Sequence, residues 1–494
     1  MAQLQNSDST HTRTIKDLSK RVVDQTPVKD SLFELAEAYF NDQAENEEKL
    51  RFADDQVKEA ERELEECDNS ERKLTLSEKL NKLKVVRSDL VKSLDDVRLE
   101  RYDKAHKLAS DIMQELQGRS TEEFNNNVAR FLGTLQLMSP TEGKGIAKAN
   151  QKTKHLYKAV VTIRLLHHLL DDGWLRNSYI KSVLQQQEAF LEKYSEKELP
   201  DSPFRQGVEI PVILAALSQD IGQLHPDAKK ILFGEDGNLD EFRMLEKDDR
   251  NELLKINYTQ SLKFVTHGLG MDKYKGNSKE ERDTFQEAQK EQLQFIRELM
   301  KAAVNPGDGI GNLLKVPQVY ASVIMSTKSN YSYETLPRVS AVMEKGAEVG
   351  AYDKEVSDAL ISMLGWFPQG FGVTYIPKDS DGRDADRYEF AIVNTLYPQA
   401  PDVPICRVAT RGLQFSTFSL NHAIGKQNNL YYANTRRKLE RVSKDRLEEI
   451  LRELSSNFEE RKDMELIPKC WHPQDFFSSS KKQNLWNKGE TYRI

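Results

Sequence analysis

Paired cysteines, long apolar runs and an excess of positive charge are all missing from this chain of 494 residues. Its three cysteines, Cys67, Cys406 and Cys470, stand far apart with no C-x-x-C spacing. That excludes a zinc knuckle or a disulfide framework and makes a reducing cytoplasm the expected location. No stretch approaches the about 20 apolar residues that a membrane-spanning helix needs. The opening MAQLQNSDSTHTRTIKDLSK lacks the apolar centre of a secretory signal, so a soluble protein without a membrane span is expected. Lysine and arginine number 72 against 79 aspartates and glutamates, a net charge of −7. Such a balance offers no bulk attraction to nucleic acid or anionic membrane. Hydrophobic residues make up only 38% and charged ones 31%, which fits globular parts joined to long, solvent-washed helices. Length alone suggests about two to four structural units.

Glycine and proline are also absent, from 28 through 117. What fills that stretch is dense charge around two apolar seams. Leu50, Ala53, Val57, Ala60, Leu64 and Cys67 recur three and four apart, and so do Leu76, Leu80, Leu83, Leu90, Leu94 and Val97, with Arg87 interrupting. Asp68-Asn69-Ser70, residues that favour turns and helix caps, lie between the seams. The spacing predicts a helical hairpin or coiled-coil region over 28–138. One long helix paired with a second chain is the rival. The hairpin would serve self-association, docking of a protein partner or signal relay, or be a plain appendage. Residues 1–27 are polar and read as a flexible N-terminus.

The segment SPTEGKGIAKANQKTK, 139–154, reads as a linker or exposed turn from its Pro, Gly and Lys content. HLYKAVVTIRLLHHLLDDGW follows as an amphipathic helix ended by Gly173, and EIPVILAALSQDIGQL as a buried, nearly all-apolar one. Further helical patterns continue to about 365. FGVTYIP, RYEFAIVNTLY and PICRVATRGLQFSTFSL are β-branched and aromatic runs split by turn signals, giving a small antiparallel β unit over 371–425. A charged amphipathic helix over 434–458 and a polar tail complete the region 426–494. The expected fold class is mainly α, with the small β unit inserted before the C-terminal helix.

Several features in register resemble the HD-GYP branch of the HD phosphohydrolase superfamily, enzymes that cleave cyclic di-GMP. AALSQDIGQLHPDAKKILF looks like that family's helix ending in His-Asp, followed by a turn and short helix. Tyr333, Tyr352-Asp353 and Pro368-Gln369-Gly370 look like its closing section. The resemblance covers roughly 155–410 and implies an all-α HD-like domain over 150–370. It also implies a metal site, because hydroxide held between divalent ions attacks the phosphodiester while the ions neutralise phosphoryl charge. Position by position, however, this chain departs from the pattern. His155 matches the early helix histidine and Asp220 the aspartate of the pair. Gln219 stands for its histidine, Asn257 for a later histidine and Gln318 for the closing aspartate. Gln223 replaces a lysine that can contact phosphate, and the helix at 278–303 has no histidine at all.

Amides keep the polar shape of His or Asp but bind divalent metal poorly. The expected protein is therefore non-catalytic, with no metal or other cofactor. It would bind a protein partner and a cyclic dinucleotide, with Asp220 buried and held by amide donors. One alternative is a cyclic di-GMP phosphodiesterase with an altered iron or manganese site. The other is a structural scaffold that binds no small molecule. His225 sits in a turn and reads as a cap. His167 and His168, adjacent on a helix and about 100° apart around it, cannot easily chelate one ion and read as structural. Trp366, Phe367, Phe371 and Tyr375 form an aromatic cluster that reads as inter-domain packing. Its sharper reading is purine stacking, with Arg407 or Arg411 on phosphate.

Overall fold

The computed structural model describes residues 8–24, 26–143, 145–192, 196–454, 459, 465–486 and 491–493. Its helices are α1 (Thr10–Val22), α2 (Leu32–Glu65), α3 (Ser70–Leu116), α4 (Thr121–Met138), α5 (Ile146–Asp171), α6 (Ser178–Leu191), α7 (Ile210–Ser218) and α8 (Pro226–Phe233). After them come α9 (Lys247–Lys263), α10 (Lys279–Ala302), α11 (Asn312–Ile324), α12 (Val339–Glu348), α13 (Lys354–Leu364), α14 (Ala433–Arg436) and α15 (Lys444–Leu454). The strands are β1 (Gly372–Tyr375), β2 (Glu389–Val393), β3 (Ile405–Val408), β4 (Thr410–Arg411), β5 (Gln414–Phe415), β6 (Asn421–Ala423) and β7 (Thr491–Arg493). The fold is mainly helical with a small sheet. No helix of the described residues is long and apolar enough to cross a membrane.

The chain divides into two compact units. The first comprises the N-terminal residues through Val22, Ser110–Leu217 and everything from Leu299; the second comprises Val23–Ala109 and Ser218–Glu298. This redraws the boundaries read from sequence. The helical region expected as one domain over 150–370 is shared between the units. The β unit is not separate, because α4 and the sheet bury one core: Leu137 of α4 lies with Phe390, Ile392, Ile450 and Trp471.

In the second unit, α2 and α3 form a hairpin. Ser31 starts α2 with a capping box: its hydroxyl accepts from Glu34 N at 3.3 Å and the Glu34 carboxylate accepts from Ser31 N at 3.2 Å. A cap of this kind is worth about 1 kcal/mol. The turn falls at Asn69, whose side chain accepts from the backbone N–H groups of Glu71 and Arg72 at 3.0 and 3.1 Å. Val57, Ala60 and Leu80 close the seam, with Leu64 and Leu83 packed against them. Arg87, the interruption in the second seam, pairs with Asp54 across the hairpin. The seam is thus covered by this chain itself. Two arginines of α3 then hold the end of the α9 segment. Arg98 donates to the carbonyls of Leu269 and Met271 at 2.7 and 2.6 Å, and Arg101 to that of Gly268 at 2.9 Å. These carbonyls have no further helical turn to accept from, so side chains supply the donors.

In the first unit, α5 is the central element and packs against α1, α4, α11 and α13. It is buried on every side from Leu156 to Leu166 rather than amphipathic. Of 139–154, the described residues before Ile146 form a turn region with Glu142, Gly143 and Gly145 exposed, as expected, but α5 begins at Ile146. Two of its polar residues there, Asn150 and Thr153, are buried and hydrogen-bonded, Asn150 Nδ2 donating to Ser326 O at 2.7 Å and the Thr153 hydroxyl to Ala149 O at 3.2 Å. Gly173, at φ 68°, ends the helix, with Trp174 N–H reaching Leu169 O and Gly173 N–H reaching Leu170 O, both at 3.0 Å.

Three further corrections concern the ends. Thr10–Val22 is a helix burying Ile15, Leu18 and Val22, not part of a flexible 1–27; residues 1–7 and 25 lie outside the described set. Gln483 anchors α1, its side-chain oxygen accepting from Ser9 N at 2.7 Å and from the Thr12 hydroxyl at 2.9 Å. The helix expected over 434–458 breaks at Val442, which is extended, and restarts where the Ser443 hydroxyl accepts from Arg446 N at 3.3 Å; 455–458 are outside the described residues. The sheet runs β1-β2-β3-β6-β7. Its first four strands are antiparallel, while β7, from the expected tail, adds parallel to β6 with Asn421 opposite Thr491.

Candidate functional site

The Gln219-Asp220 turn lies in the second unit. After α7, residues Ile221–Leu224 form one 3-10 turn that packs on α9. Asn257 and Ser261, one helical turn apart on α9, hold it. Asn257 Nδ2 donates to the Gln219 carbonyl at 3.0 Å and the Ser261 hydroxyl to the same oxygen at 3.3 Å. Ser261 Oγ also accepts from Gly222 N–H at 2.9 Å. A Cβ on Gly222 would stand 2.1 Å from Asn257 O, so only glycine permits this approach. Asp220 is half-buried, not buried as expected, and its carbonyl accepts from Gln223 N–H at 3.2 Å. Gln223 is half-buried on the 3-10 turn. His225 caps α8, its Nδ1 accepting from Asp227 N–H at 3.2 Å, and its ring meets Phe40 edge-on at 5.5 Å. Burial lowers its pKa, with Lys263 and Lys230 acting in the same direction against Asp227.

Asn257 therefore uses its amide on backbone. Ser261 is the residue that sequence reading missed; a serine four after the asparagine was the available signal. Asn257→Ala is expected to cost about 1 kcal/mol by removing one of the two donors to the part-buried Gln219 carbonyl. Urea unfolding of wild type and variant measures it, and an unchanged midpoint would contradict the assignment.

The other positions of the resemblance belong to the first unit. His155 is buried on α5, and Gln318 is half-buried on α11, its carbonyl accepting from the Ser322 hydroxyl at 2.7 Å. The five positions are thus divided between the units, and three of them carry amides. That donor set does not suit a di-iron or di-manganese centre. Among the described residues, no group of three or more His, Cys, Asp or Glu is placed to hold a metal ion. Arg407 is buried on β3 and donates to the Ser419 carbonyl; Arg411 is exposed on β4. Phe367, Phe371 and Tyr375 are buried too. Phe371 stacks on Tyr333 at 4.9 Å and Phe367 meets Tyr431 edge-on at 5.3 Å. The cluster packs inside one unit, with no ring of these three open for a purine.

A second polar cluster, also in the first unit, was not foreseen. Glu209, 5% exposed, accepts from His167 Nε2 at 2.7 Å and from Arg205 Nε at 2.5 Å. A π-type turn at Arg205–Glu209 sets Glu209 on the inner face just before α7. Pro211 cannot donate to the carbonyl of Gly207 four residues earlier, and Tyr179 Oη does so instead at 2.9 Å. Burial opposes ionisation of Glu209, yet the His167 hydrogen bond and the charges of His167 and Arg205 outweigh it, holding the carboxyl below its usual value. His168 turns the other way, Nδ1 to Tyr397 Oη at 3.2 Å and Nε2 to Asp172 at 3.4 Å. The signal for this cluster was charge inside apolar runs: Glu209 before IPVILAAL and Arg164 within VVTIRLL. Compared with family models, with curated proteins and with solved structures, the chain matches none of them.

Proposed function

We propose that this chain acts by binding, without catalysis, on an HD-GYP-like helical plan whose metal positions have been turned to structural use. The observation that carries this reading is the hydrogen bond from Asn257 to the Gln219 carbonyl, with Ser261 on the same oxygen. A side chain that stands for a metal-ligating histidine is there occupied in shaping backbone. The partner on this reading is a protein engaging the α2–α3 hairpin. That hairpin leaves Phe52, Leu74, Val85, Val86 and Val97 exposed beside its own closed seam. Large apolar side chains in water are what a protein partner would cover.

Metal analysis of the purified chain, with a turnover assay on cyclic di-GMP in manganese or iron, tests the non-catalytic part. Substoichiometric metal and no hydrolysis are expected. Two metals per chain together with turnover would establish the phosphodiesterase alternative and refute this reading. Calorimetric titration with cyclic di-GMP separates a nucleotide-responsive protein from one that binds proteins alone.

A further inference from the structure

Among the described residues, Arg164 is a cation enclosed without a partner anion. It is 3% exposed, near the middle of α5. Its Nε donates to Asn125 Oδ1 at 2.7 Å, and its guanidinium carbon lies over two rings, Phe124 at 5.6 Å and Tyr397 at 5.0 Å. Nη1 is buried with no hydrogen-bond partner among the described residues. The buried carboxylate of the cluster, Glu209, is already held by His167 and Arg205. Asp172 pairs with His168, and Asp171 is exposed and acts on Arg164 only through space. Asn125, which could have been an aspartate, brings an amide that accepts a hydrogen bond and adds no charge.

Cation–π contact compensates a buried guanidinium in part, not in full. A water molecule could accept from Nη1 but would leave the charge unmatched. The surroundings also fix the guanidinium in place. Asn125 holds one edge, and Phe124 and Tyr397 hold two rings against it. Tyr397 does so from a left-handed backbone, φ 54°, secured by its N–H on Met363 O at 2.8 Å and its hydroxyl on His168. Left-handed backbone in a bulky residue is costly and persists where its surroundings enforce it. Nη1 of this fixed guanidinium, left without an acceptor, matches an oxygen of a carboxylate or phosphate.

We infer that Arg164, set between Phe124 and Tyr397 and oriented by Asn125, binds an oxyanionic group, the phosphate or carboxylate of a small ligand. This site stands on its own residues and does not rest on the reading of the Gln219-Asp220 turn. The test is thermal unfolding of the full chain while sodium chloride is exchanged for inorganic phosphate, or for acetate, at constant ionic strength. A saturable rise of the midpoint with at least one of them is expected. Asn125→Asp supplies the missing charge from within, so it should raise the anion-free midpoint. It should also weaken binding by about tenfold to a hundredfold, the span of one charge-assisted hydrogen bond. Arg164→Gln should abolish the response; should that variant fail to fold, Asn125→Asp decides alone. The proposal is overturned by a wild type that answers to neither anion, or by an Asn125→Asp variant that binds as wild type does.

Discussion

Gly222→Ala is expected to be among the most damaging single-methyl changes in the second unit, at about 3 kcal/mol or more. The added carbon would meet Asn257 O at 2.1 Å and Asn257 Cα at 2.7 Å. Both are backbone atoms of α9, so no side-chain rotation relieves the clash. Either the 3-10 turn lifts off α9 and loses the bonds at Gln219 and Gly222, or α9 shifts against its neighbours. Hydrogen exchange reads the effect where it occurs, which matters because a chain of two units need not unfold in one step. Amides within 218–263 should exchange faster in the variant, while those of β1 to β3 keep their wild-type protection. Wild-type exchange throughout 218–263 would show that the close approach is not maintained in solution.

Glu209→Ala should cost about 3 kcal/mol, the lower part of the range for breaking a buried ion pair, because His167 is part-exposed. The loss goes beyond one contact: Arg205 would keep its charge in a largely buried place with its carboxylate removed. Glu209→Gln separates charge from shape and gives a pH signature. The native carboxyl titrates below its unfolded value of about 4.3, so its stabilisation is complete above that value and is lost as pH falls through the lower native one. Wild type and Glu209→Gln should therefore differ most near neutrality and converge in acid. Parallel stability curves from pH 7 down to 3 would rule out an ionised Glu209 as the source.

Much of the architecture was legible because it is local. The α2–α3 seams show in the three-and-four spacing, and their turn in Asp68-Asn69-Ser70, since capping and periodicity act over a few residues. The long-range pairings are another matter. Asn150 reads as linker composition because its acceptor, Ser326 O, is 176 positions away. Glu209 and His167 are 42 apart, and periodicity cannot say that one buried charge answers another. β7 joins the sheet beside β6 although nothing in its neighbours marks a strand. At the candidate site, the resemblance drew attention to Asn257 but not to what it does. Its use, holding the Gln219 carbonyl, depends on packing of α9 against the 3-10 turn that the aligned motif does not encode.

The tie between Gln483 and the start of α1 has a consequence for biosynthesis. Ser9 and Gln483 are 474 positions apart, so a chain leaving the ribosome presents α1 long before its anchor exists. Until 491–493 has emerged, β6 also offers an open strand edge, the surface on which sheets mispair. The first unit can close only after Gln483 and 491–493 have been made, and holding the earlier segments apart until then is a task suited to a chaperone.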